Sequence, residues 1–126
     1  MISTRAKGRR SLKKAKAFAS TFPNTVFLEW FQQSGMWHRS TPQPFDVLLL
    51  RAGYEPILLE VRSNQWGASK PQTRVLATLP GNVLKQLWMF KDRERTPHVR
   101  AWCTLTATWM AVNAPWGETI GEEATR

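Results

Sequence analysis

Apolar residues recur at helical spacing near the start of the chain, and lysines fall on the opposite side. The apolar positions are Leu12, Ala15, Phe18, Ala19 and Phe22. Because an α-helix has about 3.6 residues per turn, these positions share one face. The pattern predicts an amphipathic helix over residues 11–22 that ends near Pro23 and docks by a narrow apolar stripe.

Three runs of β-branched, aromatic and aliphatic residues follow this helix. They predict strands over residues 25–31, 45–50 and 57–61. A polar loop over residues 32–44 separates the first two runs. The segment RAGYEP separates the last two, and its Gly53 and Pro56 favour a turn, so the last two strands are predicted to form a hairpin.

The second half of the chain is less regular. Residues 64–80 have no clear periodicity and are interpreted as a long connection. Residues 83–95 carry a broad apolar face after Asn82, a plausible N-cap, and predict a helix. Strands are predicted over residues 99–106 and 108–113, and the acidic tail over 117–126 is expected to fray. This order of elements predicts an α/β fold with a mixed central β-sheet.

The size and composition of the chain favour a single domain. Its 126 residues with 42% hydrophobic content suffice for one modest core. No apolar run approaches the roughly 18 residues needed to span a membrane, and the first residues lack the apolar part of a signal peptide. Cys103 is the only cysteine, which excludes an internal disulfide and a cysteine-based zinc cluster. We expect a cytoplasmic protein, and whether a virus encodes it stays open.

The chain is strongly basic, with a formal net charge of +9. A charge of this size attracts polyanions before specific contacts form. The first acid is Glu29, so residues 1–10 and the predicted first helix carry only positive charge. A solvated basic face is the alternative, and membrane-surface binding is less favoured because the segment lacks a strongly apolar side. The candidate nucleic-acid contacts are Arg5, Lys7, Arg9, Arg10, Lys13, Lys14, Ser34, His38, Arg39, Lys70, Arg74 and Lys85.

Two acids stand at the ends of the predicted hairpin strands. Alternate residues of a strand face the same side, so Glu60 and Arg62 must point together. If Leu50 pairs with Pro56, Asp46 falls across from Glu60 on that side, with Cβ atoms about 5 Å apart. Two facing carboxylates repel unless a cation lies between them, and oxygen ligands favour Mg²⁺ or Mn²⁺. In the alternative, Asp46 ends a loop and Glu60 pairs with Arg62 or Arg51.

The same residues resemble the motif of the PD-(D/E)XK nuclease superfamily, an aspartate that starts one strand and an acid-x-lysine triplet on the next. Here the motif reads Pro44-Phe45-Asp46 and Glu60-Val61-Arg62. The resemblance covers about residues 5–112. It implies a restriction-endonuclease-like core, with helices flanking the mixed sheet, and a single nuclease-like domain. The predicted helix with Lys85 and Gln86 would follow the motif.

Within that superfamily, the small size, the basic start TRAKGRR and the Ser-Gly loop before Asp46 resemble archaeal-type Holliday junction resolvases. This implies a homodimer that cuts four-way DNA junctions with a divalent metal. Asp46 and Glu60 would hold the metal, and Arg62 would stabilise the scissile phosphate.

The chain departs from this pattern at two positions. Arg62 replaces the usual lysine, which keeps the positive charge but removes a group able to act as a base. Resolvases also carry a metal-binding glutamate on the first helix, whereas residues 3–22 contain no acid. Glu29 is the nearby substitute as a third metal ligand, with an exposed strand position as the alternative.

Three hypotheses follow from these residues. The first is a metal-dependent endonuclease acting on branched DNA. The second is a nuclease-like DNA-binding protein without catalytic activity, motivated by Arg62 and the missing helix acid. The third is a small basic RNA-binding domain in which both acids are structural.

Overall fold

The computed structural model describes residues 4–29, 45–79 and 83–117, with side chains from Arg9 onward. Two helices and six strands lie in these ranges. They are α1 (Thr4–Ala19), β1 (Thr25–Glu29), β2 (Val47–Arg51), β3 (Ile57–Ser63), α2 (Pro71–Thr78), β4 (Leu84–Phe90), β5 (His98–Cys103) and β6 (Thr108–Val112).

The strands form one sheet in chain order, β1-β2-β3-β4-β5-β6. Only β3 and β4 are parallel among the paired strands of the described ranges, and α2 lies in the connection between them. A parallel pair needs such a crossover, whereas the other pairs are antiparallel neighbours joined directly along the chain. The predicted α/β class with a mixed sheet is therefore confirmed.

Helix α1 covers one face of the sheet and supplies much of the core. Ala15 and Ala19 are fully or almost fully buried, and their small side chains allow the helix to approach β3 and β4 closely. The core under them includes Leu59, Trp88 and Phe90, and Phe18 packs edge-to-face on the Trp88 ring with centroids 5.5 Å apart.

Helix α2 lies on the opposite face, above β3 and β4. Its first turn reaches Glu60, because the Thr73 hydroxyl donates to that carboxylate. Its last turn reaches Lys85, whose ammonium donates to the carbonyl oxygens of Ala77 and Leu79. The helix thus runs along the sheet from the end of β3 to the start of β4. Neither described helix has the length and apolar character needed to cross a membrane.

The hairpin and the outer strands agree with the sequence predictions, and the first helix is displaced. Helix α1 begins seven positions earlier than predicted, at Thr4, and ends at Ala19 rather than near Phe22. Strand β1 starts at Thr25 as predicted. Strands β5 and β6 lie within residues 99–106 and 108–113 apart from His98. The polar loop, Asn82 and the residues after Gly117 lie outside the described residues.

Two predictions in the middle of the chain are wrong. Residues 84–90 form strand β4 and not a helix, and the supposed long connection contains α2. Strand β4 lies between β3 and β5, so residues 85–90 are buried on both sides and the run lacks the alternation of a half-exposed strand. Its polar side chains are satisfied internally, since Gln86 donates to the Pro115 carbonyl oxygen and accepts from the Trp88 ring nitrogen.

Candidate active site between β2, β3 and α2

The hairpin register brings Asp46 beside the last residues of β3. Val47 pairs with Leu59, and Leu49 pairs with Ile57, so paired residue numbers sum to 106 as predicted. Asp46 directly precedes β2, and its amide donates to the Leu59 carbonyl oxygen at 2.9 Å. The start of one strand and the end of the other therefore meet at one end of the sheet.

The Asp46 carboxylate is held against the backbone of β3. Its Oδ2 atom accepts a hydrogen bond from the Val61 amide at 2.8 Å. Burial raises the pKa of Asp46 above its ordinary value, although the Val61 hydrogen bond and the positive charge of Arg62 oppose that shift. The carboxylate is positioned and desolvated, and its ionised form is disfavoured without a further cation.

Glu60 is the more deeply buried acid, with 2% of its side chain exposed. Its Oε2 atom accepts hydrogen bonds from Arg62 Nη2 and from Thr73 Oγ1, the latter at 2.9 Å. Its Oε1 atom is buried and has no hydrogen-bond partner among the described residues. A buried carboxylate oxygen without a partner is costly, so this atom points to a missing ligand.

The two acids influence each other electrostatically. Burial is the main cause that raises the pKa of Glu60, while Arg62 and then Thr73 lower it. The negative charge of Asp46 raises the pKa of Glu60 further. Such an effect requires the carboxylates to lie near each other, as the register predicts. The predicted common orientation of Glu60 and Arg62 is confirmed by their ion pair.

The loop before α2 packs over Arg62. Arg62 also donates to Thr73 Oγ1 at 3.2 Å, and its Nε atom is buried with no hydrogen-bond partner in the described ranges. Gly67 adopts a positive φ of 62°. A Cβ atom there would lie 3.4 Å from Arg62 Nε and 3.3 Å from Lys70 Cδ. Glycine suits this position because the backbone conformation and the close approach both disfavour a side chain.

The arrangement fits a hard divalent cation bound by two carboxylates. Mg²⁺ commonly binds through one or two protein carboxylates and completes its shell with water and substrate phosphate oxygens. Asp46 and Glu60 would provide these carboxylates. The described residues contain no cluster of three or more histidine, cysteine or acidic side chains suited to a metal. Glu29 pairs with Val47 and is exposed, so the register places it on the sheet face opposite Glu60.

The structure places the basic candidates on different surfaces. Arg9, Arg10 and Lys13 are exposed on α1, and Lys14 is partly buried there. Arg5 and Lys7 belong to the same helix. Lys70 and Arg74 are exposed at the start of α2, beside the Arg62 loop. Lys85 is buried and donates hydrogen bonds to the end of α2, so we exclude it from the candidate nucleic-acid contacts. Ser34, His38 and Arg39 lie outside the described residues.

Sequence reasoning missed Thr73, which contacts both Glu60 and Arg62. Pro71 was the sequence signal for this helix, because proline is favoured in the first turn of a helix. The interpretation of residues 64–80 as a connection did not use this signal. A helix starting there carries Thr73 in its first turn and can direct it toward the sheet.

Replacing Thr73 with valine tests this supporting role. The Thr73 hydroxyl lowers the pKa of Glu60, so Thr73→Val is expected to raise that pKa further. Loss of a supporting hydrogen bond typically weakens metal binding, here by about tenfold. Calorimetric titration with Mn²⁺ measures the affinity, and Thr78→Val on the exposed side of α2 is the matched control. Equal affinities for both variants and the wild type would exclude this role.

Comparison of the chain with protein-family models, with curated proteins and with solved structures found no match.

Proposed function

We propose that the protein is a metal-dependent endonuclease of the PD-(D/E)XK type that hydrolyses phosphodiester bonds in branched DNA, with four-way junctions as the preferred substrate. The observation that carries this proposal is the pair formed by the half-buried Asp46 and the buried Glu60, in which Glu60 Oε1 lacks a partner among the described residues. The order of α1, β1, the hairpin of β2 and β3, and α2 also supports the proposal, although the helix after the motif is α2 and not the predicted helix with Lys85 and Gln86.

Each residue of the site has a role in this proposal. Asp46 and Glu60 hold the ion, which when bound lowers the pKa of a water molecule and offsets phosphate charge. Arg62, whose side chain is 21% exposed, contacts a non-bridging oxygen of the scissile phosphate through the exposed part of its guanidinium group. Because arginine stays protonated, Arg62 contributes charge stabilisation and accepts no proton.

The substrate class rests on the charge of the chain and on symmetry. Lys70 and Arg74 are exposed beside the Arg62 loop, and in this proposal they would contact the phosphates that flank the cleaved bond. A four-way junction is approximately two-fold symmetric. A C₂ homodimer would therefore present two identical sites and make paired incisions.

One observation favours a second candidate, a DNA-binding protein without hydrolytic activity. Glu60 Oε2 is already engaged by Arg62 and Thr73, and this ion pair supplies part of the positive charge that a metal would provide. Such a protein would bind junction DNA in a salt-sensitive manner and would show no metal-dependent cutting.

The substitution Arg62→Lys separates the two candidates. If the protein is an active nuclease that uses arginine at this position, wild type cuts a labelled four-way junction in Mg²⁺ or Mn²⁺. Arg62→Lys then lowers the rate by about tenfold, because lysine cannot contact Glu60, Thr73 and the phosphate with one planar group. If catalysis has been lost, wild type is inactive and lysine restores cutting. Denaturing gel analysis of the cleavage products measures both rates, with linear duplex and structured RNA as comparison substrates.

A further inference from the structure

A cleft opens on the α1 face of the sheet, between α1 and the turn that joins β4 to β5. Its volume is about 480 Å³. Four cations and one acid contribute to its lining. These residues are Arg10, Lys14, Arg93, Arg95 and Asp92. Among the described residues, none of the four cations forms an ion pair with a carboxylate.

The two acids of the turn are engaged with other partners. Asn64 donates to Asp92 Oδ1 at 3.1 Å, and the Asp92 amide donates to Asn64 Oδ1 at 2.9 Å. Glu94 pairs with His98 at 3.2 Å. Arg93 takes a positive φ of 71°, a conformation that a bulky residue adopts only when the surrounding turn imposes it. The turn therefore fixes the backbone of Arg93 at the mouth of the cleft.

The α1 side of the cleft is also held in place. Lys14 Nζ donates to the Lys91 carbonyl oxygen at 3.3 Å and lies 6.0 Å from the centroid of the Phe90 ring. The hydroxyls of Ser11 and Ser63 hydrogen-bond to each other at the base. Four cations beside one carboxylate leave excess positive charge, and three of the four are exposed, which favours an anionic ligand from solvent.

We propose that this cleft binds the phosphodiester backbone of DNA, as a second contact separate from Asp46 and Glu60. Arg62 and Ser63 are consecutive on β3, so their side chains point to opposite faces of the sheet. Arg62 faces the acids, and Ser63 lines the cleft. A DNA strand that passes around the end of β3 can contact both places. The choice of DNA as ligand rests on the proposed function, but binding in the cleft requires no hydrolysis.

The test compares two variants by fluorescence anisotropy with labelled junction and linear duplex, in EDTA and over a range of salt concentrations. The first combines Arg93→Asn, which tolerates positive φ, with Arg95→Gln. The control is Lys16→Gln, which removes an exposed cation about 200° around α1 from Lys14. Loss of two phosphate contacts makes the slope of log K against log salt less negative by about two and weakens binding by about 30-fold at 0.15 M salt.

Several results would overturn the proposal. One is that the double variant has the same DNA affinity and the same salt slope as Lys16→Gln. Another is a double variant that binds DNA with unchanged affinity but no longer binds anionic vesicles, while wild type binds them. That result would identify the cleft as a lipid-headgroup site. Competition by millimolar inorganic phosphate that abolishes the difference between variants would indicate a free-phosphate site. Circular dichroism melts confirm folding, and Lys14→Gln provides an independent cleft variant outside the turn.

The binding test and the cleavage test can give opposite answers. If wild type does not cut DNA but the double variant binds DNA more weakly, the nuclease proposal is wrong and the cleft proposal stands. If wild type cuts DNA and the double variant binds with wild-type affinity, the cleft proposal is wrong and the nuclease proposal stands.

Discussion

Replacing Glu60 with glutamine is expected to lower the rate of metal-dependent junction cleavage by about 10³-fold, since a bound ion supplies several kcal/mol of charge stabilisation in the transition state. Glutamine keeps the size of the side chain and can accept the hydrogen bond from Thr73, but it removes the negative charge that holds the ion. Single-turnover cleavage of labelled junctions at saturating protein measures the effect on the chemical step.

The matched control changes a glutamate that lies outside the site. Glu55 is exposed in the turn between β2 and β3, so Glu55→Gln alters net charge equally and should cleave at the wild-type rate. Asp46→Asn should resemble Glu60→Gln, because Asn can still accept from the Val61 amide while it weakens metal binding. Cleavage by Glu60→Gln at the Glu55→Gln rate would contradict the assignment of the metal site.

The local features of the site could be predicted from the sequence because they depend on short-range rules. Strand parity fixes the common direction of Glu60 and Arg62, and the turn after Arg51 fixes the hairpin register. Both predictions needed only alternation and a turn containing Gly53. The helical repeat, another short-range rule, predicted the apolar stripe of α1, in which Ala15 and Ala19 lie about one turn apart.

The features that could not be predicted depend on contacts between distant segments. Strand β4 is covered on both faces, so its apolar residues resemble the buried side of a helix as much as a central strand. Lys85 was predicted to be a surface cation. Its burial is offset by a carbonyl oxygen of α2, a helix within the segment that was predicted to be a connection. The cleft arises where α1 meets the β4–β5 turn, so the approach of Arg93 to Arg10 has no local signature.

The pKa shifts of Asp46 and Glu60 predict how stability depends on pH and metal. Both folded-state pKa values are raised above the ordinary values of 3.8 and 4.5. For an acid with a raised folded pKa, the stabilising contribution is fully present below the unfolded value and is lost as pH rises through the folded value. In EDTA, the contribution of these acids to the free energy of unfolding should therefore decline as pH rises above about 4 and through the raised folded-state pKa values.

A bound metal should reverse this decline, because the ion favours the ionised carboxylates. At a Mn²⁺ concentration of a hundred times Kd, linkage adds about 2.7 kcal/mol to the free energy of unfolding. Urea unfolding of wild type and Asp46→Asn at several pH values, with EDTA or Mn²⁺, measures both effects. In EDTA, at a pH above the raised folded-state pKa of Asp46, Asp46→Asn should be the more stable protein because it removes a desolvated charge. In Mn²⁺ the order should invert, and parallel stability curves in both conditions would show that the two acids are not a metal site.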